Sequence, residues 1–142
     1  GYEVMSAEFK AKAIKVLEAI NVYELSSANK HGLLPDHKFS EIRWDDETKA
    51  ENPENMSEKE IKEKFQLIDN QRNQQKREAC RKCFQTGKRG KIFGINYFYE
   101  GSEIWDEKIK KIGKEAEQGC VGCGWYDIRK WRDSLNELLT NK

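Results

Sequence analysis

The sequence predicts an α+β domain in which short extended segments pack against helices around a cross-linked or metal-bound element. Three observations carry this expectation. Apolar residues recur at helical spacing near both ends of the chain, and brief extended runs lie between them at 33–39 and 65–68. All four cysteines fall into two C-x-x-C pairs. With 142 residues the chain is one domain's worth. Its 37% hydrophobic against 36% charged content leaves a modest core, which a metal or cross-link would supplement.

Taken in order, residues 1–32 form an N-terminal helical part. Phe9, Ala13, Val16, Leu17, Ile20 and Tyr23 define one apolar stripe from Ser6 to about Ser26, with Gly32 as the stop. Leu33 to Phe39 is expected to be extended, because Pro35 bars a helix interior. Residues 45–56 are polar and acidic and contain Pro53, the composition of a loop. Ser57-Glu58-Lys59-Glu60 matches a capping box and opens a short helix toward Phe65. Phe65 to Ile68 is a brief strand, and Asp69 caps a helix running through "NQRNQQKREACRKCF". The aromatic "KIFGINYFY" at 91–99 is expected to be β, and 126–139 forms a last helix with Ile128, Trp131, Leu135, Leu138 and Leu139 on one face.

The formal net charge of +1 conceals two opposed blocks. Residues 40–63 carry nine acids against four bases (−5), and residues 64–91 carry nine bases against two acids (+7). The basic block suits a polyanion, which the acidic block would repel; two solvated faces of opposite sign are the plainer account. No apolar run approaches the roughly 20 residues of a membrane span, and the N-terminus lacks a basic region followed by an apolar one. A cytoplasmic location is therefore the expectation. Asn55-Met56-Ser57 matches a glycosylation sequon by chance in that setting. The start at Gly1 rather than Met is the pattern of a trimmed or C-terminal piece.

Cys80-x-x-Cys83 and Cys120-x-x-Cys123 each place two thiolates within reach of one ion, and two such pairs complete a tetrahedral shell for structural Zn²⁺. The zinc-binding element then spans residues 80–125. Gly119, Gly122 and Gly124 suit the tight turn of a zinc knuckle. Two disulfides are the competing account, but nothing marks the chain as secreted. A redox role lacks the βαβ surroundings of thioredoxin-like motifs. Four cysteine ligands leave no position for water, so chemistry must lie elsewhere.

Asp36-His37 closes the first extended segment. Downstream, Phe65-Gln66-Leu67-Ile68 is followed by Asn73-Gln74-Gln75-Lys76 and then by the first cysteine pair. In that order, residues 33–84 resemble the HNH, or ββα-metal, nuclease motif. There an Asp-His or His-His pair ends the first strand of a hairpin, and a phrase of the form x-Q-L-L-x-x-x-x-N-x-x-K supplies the second strand and the start of a helix. The resemblance implies a ββα-metal core with an acidic insertion at 45–63, the zinc site, and flanking N- and C-terminal helices. It further implies that His37 deprotonates the attacking water, while Asp36 and Asn73 hold Mg²⁺ or another divalent cation in a one-metal mechanism. Lys76 and Arg77, one turn beyond Asn73, would hold a phosphate. Three departures from the pattern stand out. His37 and Asn73 are 36 positions apart, Lys64 occupies the place of the motif's middle Asn, and Asp69 and Arg72 stand where many zinc-bearing members carry cysteines.

Substrate contacts are expected from Lys88, Arg89 and Lys91 between glycines in "QTGKRGKIFG", and from Arg129 after the second cysteine pair. A simple zinc-ribbon turn accounts equally well for that loop. Trp131 falls on the apolar stripe, and Tyr97, Phe98 and Tyr99 are best explained by packing on the last helix. His31 is expected to be a loop residue. The leading expectation is a metal-dependent endonuclease of double-stranded DNA, resembling the nuclease domain of an HNH-type restriction endonuclease. Cutting both strands would call for a homodimer or sequential nicking, and an additional recognition domain or subunit would supply specificity. The alternatives are a non-catalytic zinc-ribbon nucleic-acid-binding module and a zinc-stabilised protein-interaction domain using the acidic segment.

Overall fold

The computed structural model describes residues 5–27, 32–49 and 53–141 of the chain, so His31 lies outside the described residues. The first helix, α1 (Ala7–Val16), starts at Ser6, whose hydroxyl accepts from the Phe9 amide at 3.0 Å. It ends ten residues before the periodicity predicts. Glu18 and Ala19 turn into the left-handed region at φ 60° and 54°. The reason is tertiary: the Val22 amide donates to the Leu67 carbonyl at 2.9 Å, and the Asn21 side chain accepts from the amides of Tyr23 and Glu24. A strand edge and a buried Asn hold this stretch as turns that a continuing helix would forbid.

The sheet has two antiparallel strands, β1 (Leu33–His37) and β2 (Phe65–Asp69), with Asp36 opposite Gln66 and His37 opposite Phe65. Between them the acidic segment adopts short turns: a 3₁₀ turn at Glu41–Arg43, the one-turn α2 (Asp46–Lys49), and a second 3₁₀ turn at Pro53–Asn55. The capping box forms in full at the start of α3 (Glu58–Lys64), where Ser57 and Glu60 satisfy each other's backbone amides. Asp69 caps α4 (Asn70–Thr86) by accepting from the Arg72 amide at 2.8 Å, and Gly87 ends it in the left-handed conformation at φ 75°.

The segment 91–99 departs from expectation. It forms no strand; Ile92 and Ile95 make an isolated bridge about a turn at Phe93 and Gly94. Its aromatic residues pack on α6 (Ile128–Thr140) instead, where the Trp131 indole donates to the Tyr97 carbonyl at 2.8 Å. The chain before α6 contains a 3₁₀ turn at Lys114–Ala116 and the short α5 (Glu117–Cys120).

Among the described residues three apolar clusters result. One joins Ile68 and Val22 to Ile92, Trp125, Ile128 and Trp131, and a second packs α1 on α3 through Phe9, Ala13, Ile61 and Phe65. The third gathers Phe39, Cys83, Trp105 and Ala116. Among the described residues no helix is long and apolar enough to cross a membrane.

Candidate functional site

The sheet register decides where Asp36 goes. Opposite Asp36 stands Gln66, and their side chains meet, with Gln66 Nε2 donating to Asp36 Oδ2 at 3.0 Å. The same Gln66 accepts from the Ile128 amide at 3.1 Å and donates to the Trp125 carbonyl at 3.2 Å, joining the sheet to the start of α6. From α4, Asn73 Nδ2 donates to Asp36 Oδ1 at 3.1 Å and Lys76 Nζ to Asp36 Oδ2 at 2.6 Å. A buried carboxylate so surrounded is held in one orientation.

Lys76 does not occupy the expected place. It is 2% exposed, and its ammonium also reaches the carbonyls of His37 (2.7 Å) and Lys38 (3.0 Å). All three of its hydrogens are therefore engaged inside the protein, and it positions Asp36 and the end of β1 rather than a phosphate. Arg77 is exposed on the next step of α4. His37, on the alternate face of β1, lies against the Phe65 ring (centroids 4.3 Å apart) and meets Trp44 edge-on (4.7 Å). Lys38 beyond it is anchored by Asp127, the N-cap of α6, at 3.0 Å.

Asp36, His37, Asn73, Lys76 and Arg77 all line one open cavity of about 400 Å³, together with Ser40, Glu41, Trp44 and Arg81. Two residues there escaped the sequence reading. Glu41 brings a half-buried carboxyl whose pKa burial pushes up, Arg77 draws back down, and the charge of Asp36 raises further. Its only sequence signal was its place in an acidic run. Arg81, paired with Glu78, extends the basic rim one turn along α4.

The four cysteines come together as well. Cys80 and Cys83 on α4 and Cys120 and Cys123 around the end of α5 line one cavity of about 30 Å³, and none is in a disulfide. Burial pushes the Cys80 thiol up to about 11 and raises those of Cys120 and Cys123 as well. Cys83 Sγ accepts from Arg43 Nη2 at 3.3 Å, and Cys123 Sγ faces the Gly90 carbonyl at 3.5 Å. Among the described residues no three His, Cys, Asp or Glu side chains stand in a ready-made ligating arrangement. The knuckle around Cys120 depends on Gly122, at φ 110°, where a Cβ would stand 2.0 Å from the Glu100 carbonyl oxygen.

The other expected DNA contacts separate. Lys88, Lys91 and Arg129 are exposed, away from the Asp36 cavity lining, and Lys91 lies 3.5 Å from Glu103. Arg89 is 6% exposed, and its guanidinium donates to the carbonyls of Glu100, Ser102, Gly119 and Val121. It braces the second cysteine pair instead of facing a groove. Trp131 is buried, as the apolar stripe requires. No protein family, curated protein or solved structure matches the chain.

Proposed function

We propose that the chain is a metal-dependent DNA endonuclease of the HNH type, stabilised by zinc on its four cysteines. The observation that carries this reading is the convergence of Asp36 and His37 from β1 with Asn73 and Arg77 from α4 on one open cavity. β1, β2 and α4 follow one another in the order of the motif that the sequence resembles, with α2 and α3 inserted between the strands and the pair ending the first strand.

The donor set suits a hard divalent cation. Asp36 and the Asn73 amide are in contact, and rotation of that amide exchanges its nitrogen for its oxygen, giving two oxygen donors at one point. Such a cation, when bound, neutralises phosphate charge and assists departure of the 3′ oxygen. The remaining work falls to side chains. Lys76 and Gln66 hold Asp36 in place, His37 in neutral form takes the proton of the attacking water, and Arg77 with Arg81 meets the phosphate at the rim. Phe65 and Trp44 fix the plane of the imidazole. For zinc, the fit lies in chemistry: four soft sulfur donors line one small cavity, and Cys80, Cys83, Cys120 and Cys123 would hold the ion.

One observation favours the alternative, a zinc-ribbon nucleic-acid-binding module. Asp36 already accepts from three donors, as a purely structural carboxylate would. Supercoiled plasmid incubated with the zinc-loaded protein separates the two. The nuclease reading expects nicked or linear DNA in Mg²⁺, none with EDTA, and none from Asp36→Asn in either condition. DNA affinity without cleavage, over varied sequences and divalent cations, would support the binding module instead.

A further inference from the structure

Two arginines are buried beside the cysteine cavity, one bonded to Cys83 and the other to the carbonyls that flank Cys120. Arg43 is 3% exposed, and its Cζ lies 3.8 Å from the centroid of Trp105 and 5.3 Å from that of Phe84. It donates to the Lys111 carbonyl at 2.9 Å and to Cys83 Sγ at 3.3 Å. Arg89 lies under the Cys120–Cys123 turn, its guanidinium bound to four carbonyls and placed over Phe98 at 4.7 Å. Both line the cavity that the four cysteines line.

Among the described residues neither guanidinium has a carboxylate within ion-pair distance. Carbonyls and rings satisfy their hydrogen bonds and faces, but carry no net charge. Two buried cations without a counter-ion are expensive in a low-dielectric interior. Four neutral thiols do not relieve them. Four thiolates around Zn²⁺ do, because that unit carries two net negative charges and the arginines supply two positive ones.

We infer that Arg43 and Arg89 are the counter-charges of a tetrathiolate zinc site, so that the loaded site is a buried and electrically neutral unit. This rests on the zinc reading given above and adds to it two positioning residues outside the ligand set. Zinc binding expels the thiol protons, and the guanidiniums favour the thiolate state left behind, with Arg43 acting through its hydrogen bond to Cys83. Arg89 acts through the Gly119 and Val121 carbonyls that flank Cys120, as well as through its charge.

The test compares Arg43→Gln and Arg89→Gln with Arg43→Lys and Arg89→Lys in zinc-loaded protein. Zinc transfer to a chromophoric chelator is followed over a range of pH, and the Co²⁺-substituted proteins give the sulfur-to-metal absorption. Neutral variants should lose zinc affinity by about 10–100-fold, the usual effect of removing an outer-shell partner. They should release half their metal at higher pH, while the Lys variants stay near the wild type. Equal retention of zinc by Gln and wild-type proteins, or equal loss in Gln and Lys variants, would overturn the inference. Neutral variants that fail to fold where the Lys variants fold count for it, and failure of all four to fold counts against it. A wild-type protein that binds neither Zn²⁺ nor Co²⁺ would instead remove the zinc reading itself.

Discussion

At the residue scale, the candidate site turns on a single buried carboxylate. Asp36 and Lys76 form an ion pair whose side chains are 9% and 3% exposed. Lys76→Met should therefore destabilise the fold by about 3–5 kcal/mol, the effect of leaving one member of a buried pair uncompensated. Denaturant midpoints would show it, and pairing the change with Asp36→Leu should recover most of the loss. Glu41 behaves in the opposite sense. Its folded-state pKa is raised, chiefly by burial against the attraction of Arg77, so the fold favours its neutral form. Ionising it works against folding: the penalty is absent below the ordinary carboxylate range and develops as pH rises through the folded value. Glu41→Gln should raise Tm at neutral pH and leave it unchanged in acid below that range. The sequence made Asp36, His37 and Asn73 visible because they stand in a fixed order of residue types. It could not distinguish Lys76 from Arg77, since adjacent helical positions differ by a rotation about the axis that only packing resolves. Lys76 faces the sheet and Arg77 faces solvent.

At the element scale, local chemistry was legible wherever it was self-contained. The Ser57–Glu60 capping box, the Asp69 cap and the Gly87 stop of α4 use partners within a few residues, and the structure forms all three. Elements that depend on distant partners were misjudged. The stripe of α1 continues in sequence to Tyr23, yet Val22 bonds to Leu67 and the helix ends at Val16. The β-rich 91–99 segment finds no strand to pair with beyond its own short bridge. Asp69→Ala should cost about 1 kcal/mol as a lost N-cap. It also removes the carboxylate that Asn21 Nδ2 reaches at 3.3 Å, so the turn at 21–26 should lose protection in hydrogen exchange. Gly122→Ala is a sharper test of the second cysteine turn. With φ at 110° and the Glu100 carbonyl 2.0 Å from the new Cβ, the turn must open. Zinc content should fall in step with stability, measured by metal analysis and thermal melting of the same sample.

At the scale of the whole molecule, the described residues form three small cores in place of one large core, and the cysteine cavity adjoins two of them. Cys83 belongs to one and Cys123 to the other, so zinc there would tie α4 to the C-terminal third of the chain. Chelation of bound zinc should then lower Tm cooperatively rather than loosen one loop. The proposed DNA contacts also belong to this scale. Exposed Arg77, Lys88 and Arg129 should give DNA affinity that falls steeply with salt, on a log–log plot whose slope counts the phosphates met. Arg77→Ala should lower that slope by about 1. The central claim is that His37 acts as the base at a site assembled from β1 and α4, and one comparison tests it most directly. Plasmid cleavage in Mg²⁺ is measured for the wild type and for His37→Ala at equal zinc content and equal thermal stability. Loss of about 10²–10⁴-fold in cleavage rate, with DNA binding retained, is the predicted result. Equal cleavage by the two proteins would contradict it.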